Sequence, residues 1–276
     1  MSATAVTTRP PESRSQVAWT ISDIAAITRR NLLKYVRVPT LLVFSTIQPV
    51  MFVLLFAYVF GGAIKIPGVA YIDFLMPGIF VQTVVFGSTQ TGVALAEDLS
   101  RGMIDRFRSL PMARSAVLAG RTLGDTARNL FVVLLMTGVG YAIGFRFHAG
   151  FLAAVAAILL AVLFGLAFSW ISANIGLRIR DVEATQAASF VWVFPFVFAS
   201  SAFVPLQTMP GWLQAFAKVN PISIAVEAIR SLTLGGQTAT AVQGGTTSTH
   251  LLQTLAWTAG LLLVFIPLAV RGYRRT

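Results

Sequence analysis

Glu97–Arg121 reads EDLSRGMIDRFRSLPMARSAVLAGR, and the fold follows from what this stretch interrupts. It holds five arginines (Arg101, Arg106, Arg108, Arg114, Arg121) and three acids (Glu97, Asp98, Asp105) between two long runs nearly free of charge. Met103, Ile104, Phe107 and Leu110 recur at helical spacing on one side. Arg101, Asp105 and Arg108 stand at i, i+4 and i+7 on another, a ladder of ion pairs. Pro111 lacks an N–H and disfavours helix at Leu110, so a first helix stops there. Ser115 is placed to cap a second. The stretch reads as a water-exposed helical hairpin whose apolar stripe either docks on a partner or lies on lipid headgroups. A merely solvated loop needs no such stripe.

Outward from it the chain is apolar. Of 276 residues, 56% are hydrophobic and 11% charged, and the mean hydropathy is +0.76. Soluble domains carry about a quarter charged residues. Residues 38–64, 74–96, 129–145, 147–177, 184–217 and 231–270 contain no Asp, Glu, Lys or Arg. A bilayer-spanning helix needs about 20 apolar residues, so the runs predict an all-α membrane protein with six transmembrane helices. With six spans and both ends on one side, Lys65, Arg146, Lys218 and Arg230 fall outside and the other 17 of the 21 basic residues fall with the termini. That bias makes the termini and Glu97–Arg121 cytoplasmic, with the chain in the cell membrane. The net charge of +11 is therefore a membrane signature, and no aromatic-basic pattern points to nucleic acid. The chain has no cysteine, and His148 and His250 stand alone, so no metal site or cofactor is expected.

Residues 1–16 are polar, carry Pro10-Pro11, and read as a disordered N-terminus without a signal peptide. Residues 17–276 form a single transmembrane domain. Val17–Val38, with Arg29, Arg30, Lys34 and Arg37, is too charged to span. It reads as an interfacial helix, with Ser22 as its cap, or as a juxtamembrane flank. The spans lie at about 40–60, 72–96, 122–145, 151–177, 184–204 and 251–270. Pro49 predicts a kink in the first. Span 2 has a polar inner half including Gln82, Thr83, Ser88 and Gln90, which lipid leaves without partners. These residues are candidates for a substrate pathway shared with Phe194 and Phe198 of span 5, or for hydrogen bonding between helices. Asp125 and Arg128 in span 3 read as a local ion pair, and Gly140 and Gly144 as a face for close packing. Between spans 5 and 6, Trp212–Val219 reads as an outer interfacial helix. Asn220 caps a further helix that Pro221 opens and Gly235-Gly236 close. Glu227 and Arg230 form an i, i+3 pair on it, and Gln237–Ser248 reads as an exposed loop.

Three segments carry a family resemblance: GMIDRFRSLPMARSAVLAGR (Gly102–Arg121), FVPLQTMPGWLQAFAKVNPIS (Phe203–Ser223) and EAIRSLTLGG (Glu227–Gly236). In that order and spacing they resemble the membrane subunit of ABC-2 type exporters, nearest the daunorubicin/doxorubicin-resistance permeases, over residues 20–275. The resemblance implies a permease for amphipathic drugs, lipids or glycolipids that pairs with a second copy or a sibling subunit. It implies two cytosolic ABC ATPase subunits holding Mg-ATP. Leu99–Pro111 would be the coupling helix seated on them, with Arg101, Met103, Ile104, Asp105, Arg106, Phe107, Arg108 and Leu110 in contact. Residues 206–234, including Trp212, Asn220, Pro221, Glu227 and Arg230, would be outer re-entrant helices. The sequence holds no G-x-x-x-x-G-K-[ST] loop, so the chain is not expected to be an enzyme. An ion-coupled secondary transporter is the alternative. It needs acids or bases deep in the membrane, whereas Asp73, Asp125, Arg128 and Glu227 all lie near span ends. An intramembrane enzyme needs paired acids, or a nucleophile with its base, at depth, and the sequence offers neither.

Overall fold

The computed structural model describes residues 16–103 and 114–275. Among them are ten α-helices and no strand. Helix α1 is Gln16–Arg37, and α2 is Pro39–Leu54, continued by π-helical turns over Leu55–Phe60. Helix α3 is Tyr71–Ser100, α4 Arg114–Ala142, α5 Phe151–Ile179 and α6 Val182–Phe198. On the far side, a 3-10 turn at Leu206–Thr208 leads to α7 (Gly211–Val219), α8 (Pro221–Leu234) and α9 (Gly236–Gln243). Helix α10, Thr247–Arg275, closes the chain.

Helix α3 is the axis of the bundle. Phe74, Leu75, Met76, Ile79 and Phe80 are fully buried, and its inner half is buried as well. Its apolar residues form no single stripe because every side of the helix meets a neighbour. It lies tightest against α5. A Cβ on Gly92 would stand 2.3 Å from the Ser172 carbonyl oxygen, and one on Gly176 would stand 2.2 Å from that of Gly92. Small residues here let two backbones touch, which is how helices associate where lipid supplies no hydrophobic drive. Helices α4, α6 and α8 complete the ring, and α10 lies on α5 and α8. Helix α1 runs along α4, where Gly120 and Gly124 face Ile27 and Asn31. Helices α2 and α10 are peripheral and expose Phe44, Met51, Tyr58, Leu252 and Leu263.

Four stretches are long and apolar enough to cross a membrane: Leu42–Phe60, Tyr71–Ser100, Phe151–Ile179 and Thr247–Tyr273. Helix α6 is apolar but has 17 residues, and α4 carries Arg121, Asp125 and Arg128 along its first turns.

Several local expectations change. Ser22 lies inside α1, so it caps nothing. The second arm of the predicted hairpin is the start of α4, which contains Ser115 and runs unbroken into the bundle; the first arm begins as the end of α3, and its residues from 104 on lie outside the described residues. Pro49 is accommodated within α2, and regular α geometry gives way only at Leu55. Gly140 does meet α3, since a Cβ there would stand 2.7 Å from Met76 Cε, but Gly144 sits beyond the helix at φ +107 in open space. Helix α6 stops at Phe198, six residues before the expected end, and the buried turn Ser200–Phe203 follows. Gln237–Ser248 is not a loop: it contains most of α9 and the first residues of α10.

Candidate functional site

A cavity of about 380 Å3 opens between α1, α2, α3, α4 and α6. Helix α3 contributes Gln82, Thr83, Phe86, Gly87, Gln90 and Glu97; α4 contributes Arg121, Arg128, Asn129 and Val132. Asn31 and Tyr35 of α1, Gln48 and Pro49 of α2 and Phe190 of α6 close it. Polar and charged side chains thus share the wall with apolar and aromatic ones.

The charged part of the wall stands on a buried cluster. Asp125, 1% exposed, accepts from the Tyr35 hydroxyl at 3.0 Å and from the Thr91 hydroxyl at 2.8 Å. Arg121 Nε lies 3.6 Å from the same carboxylate, and its Nη1 lies 3.4 Å from Asp98. One side chain therefore joins α1, α3 and α4. Burial, and then the Asp125 charge, push the Tyr35 phenol up to about 12, so it stays protonated and donates. The Thr28 hydroxyl and Asn31 Nδ2 both donate to the Gly120 carbonyl, at 3.2 and 3.4 Å. Arg128 does not pair with Asp125, as its spacing had predicted. Its Nη2 donates to the Gly87 carbonyl and to Asn129 Oδ1, and its guanidinium lies 5.8 Å over the Tyr35 ring. Asp125 is committed elsewhere, and the missing side chain at Gly87 leaves room for the guanidinium.

Of the predicted pathway residues, the cavity brings together Gln82, Thr83 and Gln90. Ser88 faces away, fully buried, its hydroxyl donating to the Val85 carbonyl. Phe194 and Phe198 stand outside the lining, one and two turns along α6 from Phe190. They belong to an aromatic column in which Phe86, Phe190, Phe194, Phe198, Phe203 and Phe56 follow one another at centroid distances between 4.4 and 5.9 Å. The column runs from the cavity toward the far end of α2.

That far end is also polar inside. Arg230 is 1% exposed, donates from Nε to the Phe74 carbonyl (3.1 Å) and from Nη2 to that of Ser201 (2.9 Å), and covers the Phe74 ring at 3.6 Å. It is therefore a core strut and not part of a pair at the membrane surface. The nearest ionic partner of Glu227 is His250 Nδ1, 3.4 Å away. Burial raises its carboxyl pKa above the usual carboxylate range, against the pull of Arg230 and His250. His148 lies 3.8 Å from Asp73, so neither histidine stands alone. Among the described residues no group of three or more His, Asp or Glu could hold a metal ion. Asn220 Oδ1 caps α8 at Ile222 N (2.9 Å), its Nδ2 donates to the Phe196 carbonyl (2.7 Å), Pro221 opens the helix, and Trp212 of α7 is exposed. The contact between α1 and α4 through Tyr35, Asn31 and Gly120 was not anticipated. Its signal is the coincidence of Asn31 and Tyr35 at i, i+4 with Gly120 and Gly124 at the same spacing.

The predicted coupling residues fall at the edge. Arg101, exposed, pairs with Glu97 at 2.7 Å just past α3, and Met103 is half-buried. Ile104, Asp105, Arg106, Phe107, Arg108 and Leu110 lie outside the described residues.

Known proteins are similar to this chain in sequence. Residues 22–234 match the family model described as ABC-2 type transporter. The daunorubicin resistance ABC transporter permease protein DrrB1 of Streptomyces coeruleorubidus is 39% identical over 245 residues, covering 89% of this chain and 83% of that protein. A Mycobacterium tuberculosis protein named as doxorubicin resistance ABC transporter permease protein DrrC is 28% identical over 270 residues, 97% of this chain and 94% of its own. The all-helical bundle, the predicted motifs and these matches agree: the chain belongs to the ABC-2 type transporter family, as a membrane permease in the branch of the drug-resistance permeases.

Proposed function

We propose that this permease exports amphipathic drugs, lipids or glycolipids, taking them from the cytoplasm or inner leaflet into the cavity between α2, α3, α4 and α6. Two copies of a separate cytosolic ATPase holding Mg-ATP drive it, and a second copy or a sibling permease completes the pathway. The chain crosses the membrane six times, with α4 and α6 as spans besides the four apolar stretches, and both termini are cytoplasmic. One observation carries the coupling reading. Residues 101–113 join the end of α3 to the start of α4, the two helices that supply most of the polar cavity wall. A force on that segment moves both walls at once. The column from Phe190 to Phe56 stands between the cavity and the outer end, where an apolar seal belongs.

The coupling reading is tested at Phe107. Truncating a buried aromatic anchor costs about 2 kcal/mol or more, roughly thirtyfold in affinity, whereas a hydrated rim charge costs on the order of 1 kcal/mol or less. Phe107→Ala is expected to lose copurification with the ATPase while the permease stays folded, and Arg108→Ala to be milder. Copurification of Phe107→Ala at the normal ratio decides for a stripe that only lies on headgroups.

Topology is checked independently. The chain has no cysteine of its own, so Ser109→Cys and Thr238→Cys each place a single thiol. An impermeant reagent applied to intact cells is expected to label the second, an exposed position, and not the first. The reverse pattern inverts the chain in the membrane.

A further inference from the structure

Among the described residues, Arg128 is the buried cation of the cavity with no carboxylate at salt-bridge distance. It is 6% exposed and lines the cavity. Its contacts are the Gly87 carbonyl, the Asn129 side-chain oxygen and the face of Tyr35. Among the described residues no Asp or Glu oxygen lies within 4.0 Å of it. The neighbouring charges are taken: Arg121 by Asp98 and Asp125, and Glu97 by Arg101 at 2.7 Å. A buried charge left without a counter-ion is strongly unfavourable in a membrane protein.

Around it, further polar atoms lack partners. Arg128 Nε, Asn129 Nδ2, Thr83 Oγ1 and Gln82 Oε1 are buried and make no hydrogen bond among the described residues, and all four residues line the same cavity. Two of these atoms, Arg128 Nε and Asn129 Nδ2, are obligate donors, the Thr83 hydroxyl can donate, and Gln82 Oε1 is an acceptor that a hydroxyl or protonated acid of the ligand would satisfy. The seat is also built sterically, because a Cβ on Gly87 would fall 2.3 Å from Asn129 Oδ1 and 3.3 Å from Arg128 Nη2. The same lining also holds the apolar side chains Val132, Phe86, Pro49 and Phe190.

We propose that the cavity is a binding site for an acidic amphiphile, whose phosphate or carboxylate head pairs with Arg128 while its apolar part lies against Val132, Phe86 and Phe190. The proposal rests on the cavity being the entry site for cargo and adds the sign of its charge. Charge-assisted bonds to the guanidinium and the Asn129 amide hold the head. A cationic amphiphile of the same size finds a like charge without a counter-ion and is rejected.

The test uses the full-length permease purified with its ATPase, in phosphatidylcholine nanodiscs. Labelled phosphatidic acid and a two-chain trimethylammonium lipid serve as probes, and retention is measured beside the melting temperature. The wild type is expected to retain phosphatidic acid at least tenfold better than the cationic lipid. Arg128→Gln should lose that preference, and Arg128→Lys should recover part of it. Gly87→Ala, which crowds the seat without removing the charge, should weaken retention severalfold and keeps the test decisive if Arg128→Gln fails to fold. Equal retention of the two lipids, unchanged preference in Arg128→Gln, or unchanged retention in Gly87→Ala overturns the site. Displacement of phosphatidic acid by millimolar inorganic phosphate overturns the amphiphile and leaves a simple anion site. If the preference holds but phosphatidic acid neither stimulates ATP hydrolysis nor crosses to the other leaflet, the acidic site stands as a lipid site and the entry reading fails.

Discussion

Gly176→Leu is expected to leave no properly folded permease in the membrane. The Cβ alone would stand 2.2 Å from the Gly92 carbonyl oxygen and 2.9 Å from its carbon. Both are backbone atoms of the central helix, so no rotamer change relieves the clash, and α3 and α5 must separate. Overpacking a core costs about 1–3 kcal/mol when side chains can shift, and this site exceeds that range because they cannot. Gly138→Leu on α4 is the control, since nothing lies within 4 Å of its Cβ position. Size-exclusion profiles and thermal melts of the two variants measure the difference. A monodisperse Gly176→Leu that melts with Gly138→Leu would show that the α3–α5 contact is looser than described.

Asp125→Ala is the second large effect, and it acts on a different part of the molecule. The carboxylate accepts from Tyr35 and Thr91 and faces Arg121, so its removal orphans two hydroxyls and leaves the Arg121 charge with Asp98 alone. Breaking a buried ionic group by removing one member costs about 3–5 kcal/mol. Asp125→Asn, which keeps an acceptor oxygen, should cost about 1–3 kcal/mol. The loss is expected at the joint of α1 with α3 and α4. Amide protection along α1 should fall while that of the α3–α5 core persists, and unchanged protection of α1 would refute the joint. Because the Tyr35 phenol is raised from 10.0 to about 12, its contribution is complete below about pH 10 and is lost as the pH climbs through 12. At working pH the joint is insensitive to that group.

Some local features are legible in the sequence, although Ser22, Pro49, Gly144 and the tract 237–248 are not among them. Charge-free runs marked α2, α3, α5 and α10 because a bilayer demands length and apolarity within one segment. Asn220-Pro221 and Gly235 bounded α8 because capping chemistry acts over two or three residues. Glutamine and threonine on α3 pointed to a polar cavity, since lipid cannot satisfy them. The tertiary structure decided the partners. Asp125 and Arg128 are correctly spaced for each other, yet α1 and α3 bring Tyr35 and Thr91 to the carboxylate and the Gly87 carbonyl to the guanidinium. Helix α6 ends at Phe198 because the turn after it supplies the Ser201 carbonyl to Arg230, and the Ser201 N–H donates to the Ser223 hydroxyl oxygen. The Gly- and Thr-rich tract after Gly235 is helical although its composition favours a loop. It places Gln243 where Nε2 reaches the Glu227 carbonyl at 2.8 Å and the Ser231 hydroxyl at 3.0 Å. A backbone or charged group inside a membrane bundle must find its partner wherever packing presents one, and that choice is made between helices distant in the chain.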